Sequence, residues 1–348
     1  MNGLPQPVPH DPDSGEQSSQ QAQPEALPPS STEEAPALPP AAQRSLPVSE
    51  QQADLNEPSA QAPGPDLLFP ALQQAALYRP PRFPNFADVG LLLVLLLVGW
   101  IGSGALLGIA MHYRLYGVST MKQALNDIHY TLGAQAAWYI ISFGGCVLLF
   151  PAVWHTGFFV GVEWQFCSAF RIRWRLFGAV FVCIVLAVID GILMPGPANT
   201  PIDQIFRMPG AAWLLFGFGI TLAPLCEELG FRGFLLPALC TAYDWAMEKF
   251  AHQPAPWPDE NGKAQWSLPA MVVASVITSF PFALMHAEQT GYSLGPFLLL
   301  VCVSLVLCWV RLSARSLAAS VIVHSSYNFL LFSVMLAGTG GFKHLERM

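Results

Sequence analysis

Residues 89–113 read VGLLLVLLLVGWIGSGALLGIAMHY, a run without a single Asp, Glu, Lys or Arg. At about 1.5 Å per residue, a helix over about 88–112 crosses a hydrocarbon core of roughly 30 Å. No water reaches such a core, so the backbone must satisfy its own hydrogen bonds, and a helix does so within one segment. Similar apolar runs follow at about 132–154, 176–194, 210–226, 268–286, 295–311 and 316–337. Residues 231–249 leave three readings open: they continue the fourth helix, lie along the membrane interface, or cross once more. The expected fold is an all-α, polytopic transmembrane helical bundle of seven or eight spans, occupying residues 85–340.

Composition agrees with the membrane. Of 348 residues, 53% are hydrophobic and 11% charged, against about 25% charged in an ordinary soluble domain. The formal net charge of −7 sits at one end. Residues 1–84 hold ten acids against Arg44, Arg79 and Arg82, so the remainder is neutral. There is no basic surface to point to nucleic acid as a partner. Residues 1–84 are rich in Pro, Gln, Ala and Ser and have no hydrophobic periodicity, so they are expected to be a disordered tail. Their start, MNGLPQPVPHDPDSGEQ, lacks the basic and apolar regions of a signal peptide. The seven cysteines are scattered through apolar segments with no C-x-x-C pair, and read as small buried hydrophobes.

Lys and Arg of short loops stay in the cytoplasm. Arg79 with Arg82, the cluster Arg171, Arg173 and Arg175, and the pair Arg311 and Arg315 thread consistently with seven spans and a cytoplasmic N-terminus. The expected location is the plasma (inner) membrane. No repeat relates the two halves, which argues against a transporter built on inverted symmetry.

An ionisable side chain inside a membrane helix costs about 2.5–3.5 kcal/mol on insertion scales, so each needs a partner or a task. Three segments carry such groups. TLAPLCEELGFRGFLL, residues 221–236, holds Glu227 and Glu228, with Arg232 four residues beyond Glu228 and on its helix face. Glu227 points roughly 100° away and is free to face a cavity. SFPFALMHAE, residues 279–288, places Phe282 and His286 one turn apart, and SLAASVIVHSSYNF, residues 316–329, does the same for His324 and Asn328. Taken singly, the first motif reads equally well as a structural ion pair and the second as a histidine satisfied by a backbone carbonyl.

Together, E-E-x-x-x-R, F-x-x-x-H and H-x-x-x-N, in this order on successive apolar helices, resemble the CPBP family of intramembrane proteases, the CAAX prenyl endopeptidase, Abi or Rce1-type proteins. The likeness covers about residues 176–337. It implies an endopeptidase that hydrolyses a membrane-associated, prenylated CAAX-type, peptide or protein. It implies that Glu227 and His286 activate a water, that His324 and Asn328 stabilise the oxyanion, and that Glu228, Arg232 and Phe282 position substrate or hold the site. A carboxylate among apolar residues suits proton shuttling, and amide and imidazole donors suit a developing oxyanion. Members have been classed both as metalloproteases and as glutamate-dependent proteases. Glu227, His286 and His324 could supply three zinc ligands, although no H-E-x-x-H is present. The alternative function is a non-proteolytic membrane scaffold or immunity-type protein of the same fold, and a proton-coupled transporter is a third. The bilayer and a membrane-associated peptide or protein are the expected partners.

Overall fold

A computed structural model describes residues 84–194, 200–208, 210–259 and 263–342. The expected tail, residues 1–84, lies outside the described residues except for Pro84. The principal helices are α1 (Phe86–His112), α2 (Ile128–Trp154), α3 (Arg173–Leu193), α4 (Ala211–Ile220), α5 (Leu222–Glu228), α6 (Leu236–Ala251), α7 (Leu268–Met285), α8 (Leu294–Ala314) and α9 (Leu317–Gly338). A π-helical segment, Leu229–Leu235, joins α5 to α6. No strand occurs among the described residues.

Seven helical runs among the described residues are long and apolar enough to cross a membrane. The open question over residues 231–249 has a structural answer: they continue the fourth run, Ala211–Ala251, through α5, the π segment and α6. A straight α-helix of these 41 residues would be about 60 Å long, twice the hydrocarbon thickness, but this run breaks at Thr221 and passes through the π segment. Its C-terminal part carries exposed Glu248 and Lys249, which suit water or headgroups rather than lipid tails, while Asp244 is buried and accepts from the Ser267 hydroxyl at 2.6 Å. The chain is a multi-pass integral membrane protein.

Large apolar side chains such as Leu93, Leu97, Leu148, Phe177, Phe181 and Ile192 are exposed along the helices, as a lipid-facing surface requires. With lipid outside, apolar burial gives no net drive to helix pairing, so close packing and hydrogen bonds take over. The α1–α2 contact shows both. Gly99 has no room for a side chain, since a Cβ there would collide with the Ser142 hydroxyl and approach the Trp138 carbonyl oxygen at 2.9 Å. The Trp138 indole N–H donates to the Leu96 carbonyl at 2.7 Å, and Trp154 donates to the Asp88 carboxylate at 3.0 Å.

Two buried clusters hold the π segment and the last two helices. Leu92, Phe150, Trp154, Phe158 and Val162 pack against Leu229 and Phe234 of the π segment and against Leu317. Leu176, Ala179 and Cys183 of α3 pack with Val303, Leu307 and Val310 of α8 and with Val323 and Tyr327 of α9. Polar contacts gather the loop after α2, the linker after α6 and the α8–α9 turn at one end. Arg315 donates to Asp259 at 2.7 Å and to the Ala264 carbonyl at 2.9 Å, and Ser316 donates to the Gln165 carbonyl at 2.8 Å. Arg311 is not the free loop charge that the sequence suggests. It is 2% exposed and paired with Glu163 at 2.8 Å.

Candidate active site

The site is built where α5, the π segment, α7 and α9 meet. Helix α4 ends at Thr221, whose backbone (φ −124°, ψ −85°) leaves the helical region before α5 starts. The Thr221 hydroxyl donates back to the Gly217 carbonyl at 2.6 Å. The Asn328 amide of α9 donates to the Gly219 carbonyl at 2.8 Å, which ties α9 to the last turn of α4. Gly219 allows this approach, because a Cβ there would reach 2.9 Å from the Phe332 ring.

Glu228 and Arg232 are both 0% exposed and bonded at 2.9 Å. Arg232 also donates to the hydroxyl and carbonyl of Ser304 on α8, at 2.8 and 3.1 Å. Its guanidinium lies 4.4 Å from the Phe282 ring centre, an attraction between a desolvated cation and a π face. Phe282 is 1% exposed, and its ring centre is 5.0 Å from that of His286 and 5.9 Å from that of His324. It therefore packs against both imidazoles.

Both histidines are held by one ring nitrogen. His286 caps the end of α7, with Nδ1 2.9 Å from the Phe282 carbonyl. A carbonyl only accepts, so Nδ1 carries the hydrogen. His324 Nδ1 lies 3.0 Å from Glu228 Oε1, the oxygen that also receives Arg232. Each Nε2 then faces the same atom, Glu227 Oε2, at 3.9 Å for His286 and 3.8 Å for His324. His324 thus bridges the two glutamates.

Glu227 also lines an apolar pocket, a chamber of about 360 Å³. Leu92 and Leu96 of α1, Tyr139 and Phe143 of α2, Phe231, Met285 and Cys226 are among its walls. Of the seven residues singled out in the sequence, Glu227, His286 and His324 converge on one point. Glu228, Arg232 and Phe282 stand behind them, and Asn328 engages the α4–α5 break.

Among the described residues, no three His, Cys, Asp or Glu side chains are arranged to hold a metal. Tetrahedral zinc ligands at about 2.0–2.2 Å from the ion stand about 3.3–3.5 Å apart, closer than the 3.8 and 3.9 Å separations here. The three side chains converge on one point, at separations slightly wider than those of zinc ligands.

The periodicity of the sequence gives no sign of the π segment, Ser304 or Glu163, and its charge pattern marks Arg311 only as a loop charge that orients the chain. Two signals bear on Arg311 and the π segment: an arginine at the end of the apolar run 295–311, and Pro237 five residues after Arg232.

The sequence model described as type II CAAX prenyl endopeptidase Rce1-like matches residues 209–330. Over that stretch, about a third of the chain, the sequence is similar to the Rce1-like family. The match takes in all seven motif residues and lies inside the 176–337 region of resemblance. No curated protein and no solved structure matches the chain. The similarity is to a family of CAAX-type endopeptidases and falls on the helices that carry Glu227, His286 and His324.

Proposed function

We propose that the Rce1-like domain is a glutamate-dependent endopeptidase in which Glu227 activates a water for attack on a peptide carbonyl. The observation that carries this reading is the convergence of two imidazole Nε2 atoms on Glu227 Oε2 at the wall of an apolar chamber. A water between Glu227 and His286 donates one O–H to each, because both present acceptors, and its lone pair then faces the chamber. As the water oxygen bonds to the carbonyl carbon, its proton passes to Glu227 and the carbonyl electron pair moves onto oxygen. Collapse breaks the C–N bond, and the proton from Glu227 leaves with the amine.

The oxyanion needs donors. Asn328 keeps a second amide hydrogen after bonding Gly219. His324, backed by the Glu228 carboxylate, supplies Nε2–H when it carries both ring protons. Such donors act most strongly where water is excluded. The apolar chamber supports a substrate whose residues beside the scissile bond are apolar or lipidated, which fits a prenylated CAAX-type peptide.

The test uses purified protein in lipid nanodiscs with a peptide ending in an S-prenylated CAAX sequence, and mass spectrometry to detect the released C-terminal fragment. Wild-type protein releases it, and Glu227→Gln lowers the rate by about 10²–10⁴-fold, the usual contribution of a general base. Equal rates for the two proteins sink the mechanism.

A further inference from the structure

We infer that Arg311, held by Glu163, is a positioning residue for the protease site, acting by completing the hydrogen bonding of the π segment. The inference rests on the protease reading for its effect on catalysis, and on hydrogen bonds alone for its structural part.

In a π-helix a carbonyl pairs with the N–H five residues later. At the end of the π segment such a bond runs from the Leu236 N–H to the Phe231 carbonyl. The next carbonyl in the register is that of Arg232, and its donor would be residue 237. That residue is Pro237, which has no N–H. The preceding donor, Leu236, is already used. The Arg232 carbonyl is therefore left without a helical partner in a fully buried residue, and an unpaired buried carbonyl is costly. Arg311 Nε donates to it at 3.2 Å from α8.

The other side of the Arg311 guanidinium bonds Glu163 at 2.8 Å. Glu163 stands in the loop after α2 with φ 54°, a left-handed conformation unusual for a residue with a side chain. Its own carbonyl accepts from Leu317 N at 3.0 Å, at the first turn of α9. One residue thus holds both the brace of the π segment and the start of the helix that carries His324. Arg232, Glu228 and His324 are linked to one another by direct bonds. Any shift of the Arg232 backbone is passed to the imidazole that faces Glu227.

Arg311 touches neither Glu227 nor the chamber, so its loss should lower kcat and leave KM in place. The experiment compares wild type, Arg311→Gln, Pro237→Ala and the double variant in nanodiscs, by cleavage kinetics and by hydrogen exchange of peptides covering residues 229–240. Arg311→Gln should lose about 10- to 100-fold in kcat with KM within about twofold, as misplacement of reacting groups by an ångström does. Exchange across the π segment should quicken. Pro237→Ala restores an N–H at the position that addresses the Arg232 carbonyl. Alone it should behave as wild type, and in the double variant it should recover most of the lost kcat and exchange protection.

A double variant no better than Arg311→Gln overturns the proposal, as does wild-type exchange in Arg311→Gln. Should Arg311→Gln fail to fold, Glu163→Gln leaves Arg311 in place and removes only the charge behind it. It should quicken exchange over residues 229–240, and unchanged exchange there overturns the proposal. The Glu227→Gln control separates the two readings. If wild type and every variant are inactive, the protease reading fails, and hydrogen exchange still decides the brace.

Discussion

Arg232→Met removes the arginine that is paired with buried Glu228 at 2.9 Å. Glu228 is 0% exposed, and without Arg232 its carboxylate loses its arginine and keeps the His324 Nδ1 bond at 3.0 Å. Ser304 loses both contacts from the guanidinium. Breaking a buried pair from one side costs about 3–5 kcal/mol. An uncompensated charge in a membrane helix costs about 2.5–3.5 kcal/mol, and each lost interhelical hydrogen bond about 0.6 kcal/mol. Both routes give about 4 kcal/mol, or roughly a thousandfold in the folded-to-unfolded ratio. The double variant Glu228→Gln with Arg232→Met removes both charges and keeps an acceptor for His324, so it should lose less than about 2 kcal/mol, since replacing a pair outright is far less costly than orphaning one partner. Reversible unfolding in mixed dodecyl maltoside and dodecyl sulfate micelles, followed by far-UV circular dichroism, measures all four proteins. If the single losses simply add in the double variant, to within about 0.5 kcal/mol, the two groups do not act as a pair and the reasoning fails.

The two histidines should separate by stability. His286→Ala and His324→Ala both stop cleavage, but only His324→Ala should also lower stability, by about 1–3 kcal/mol, because it strips a hydrogen bond from buried Glu228; equal unfolding midpoints in the same micelles would contradict the bridging role. Gly99→Ala and Gly104→Ala should differ in sign. The first drives a methyl into Ser142 and costs about 1–3 kcal/mol, while the second meets open space and gains about 0.5–1 kcal/mol from helix propensity; thermal unfolding of the pair checks this. Dialysis against a zinc chelator should change the cleavage rate by less than about twofold, since a metal bound by Glu227, His286 and His324 would be lost to the chelator; a larger loss restored by zinc would replace the water-only mechanism.

Much of this architecture can be read along the chain. Each span is a property of one continuous segment, because membrane insertion depends on local apolar length. The pairs Glu228–Arg232, Phe282–His286 and His324–Asn328 also sit within single segments, so helix period alone puts each on one face. Helix period also sets Glu227, next to Glu228, on a different face from the Glu228–Arg232 pair. Pro237 stands in the sequence too, although its effect on the Arg232 carbonyl depends on the π register, which no periodicity announces.

What lies beyond that reading involves residues far apart in sequence. Ser304 meets Arg232 across 72 positions, His324 meets Glu228 across 96 and Arg311 meets Glu163 across 148. Such contacts depend on how helices are rotated and set at depth against one another, and apolar faces that are equally content against lipid or protein leave that rotation undetermined. Arg311 shows the difference most clearly. In sequence it is one more arginine at the end of a span, a marker of topology. Folded, it is buried, because the carbonyl that needs it belongs to another helix and Pro237 has removed the nearer donor.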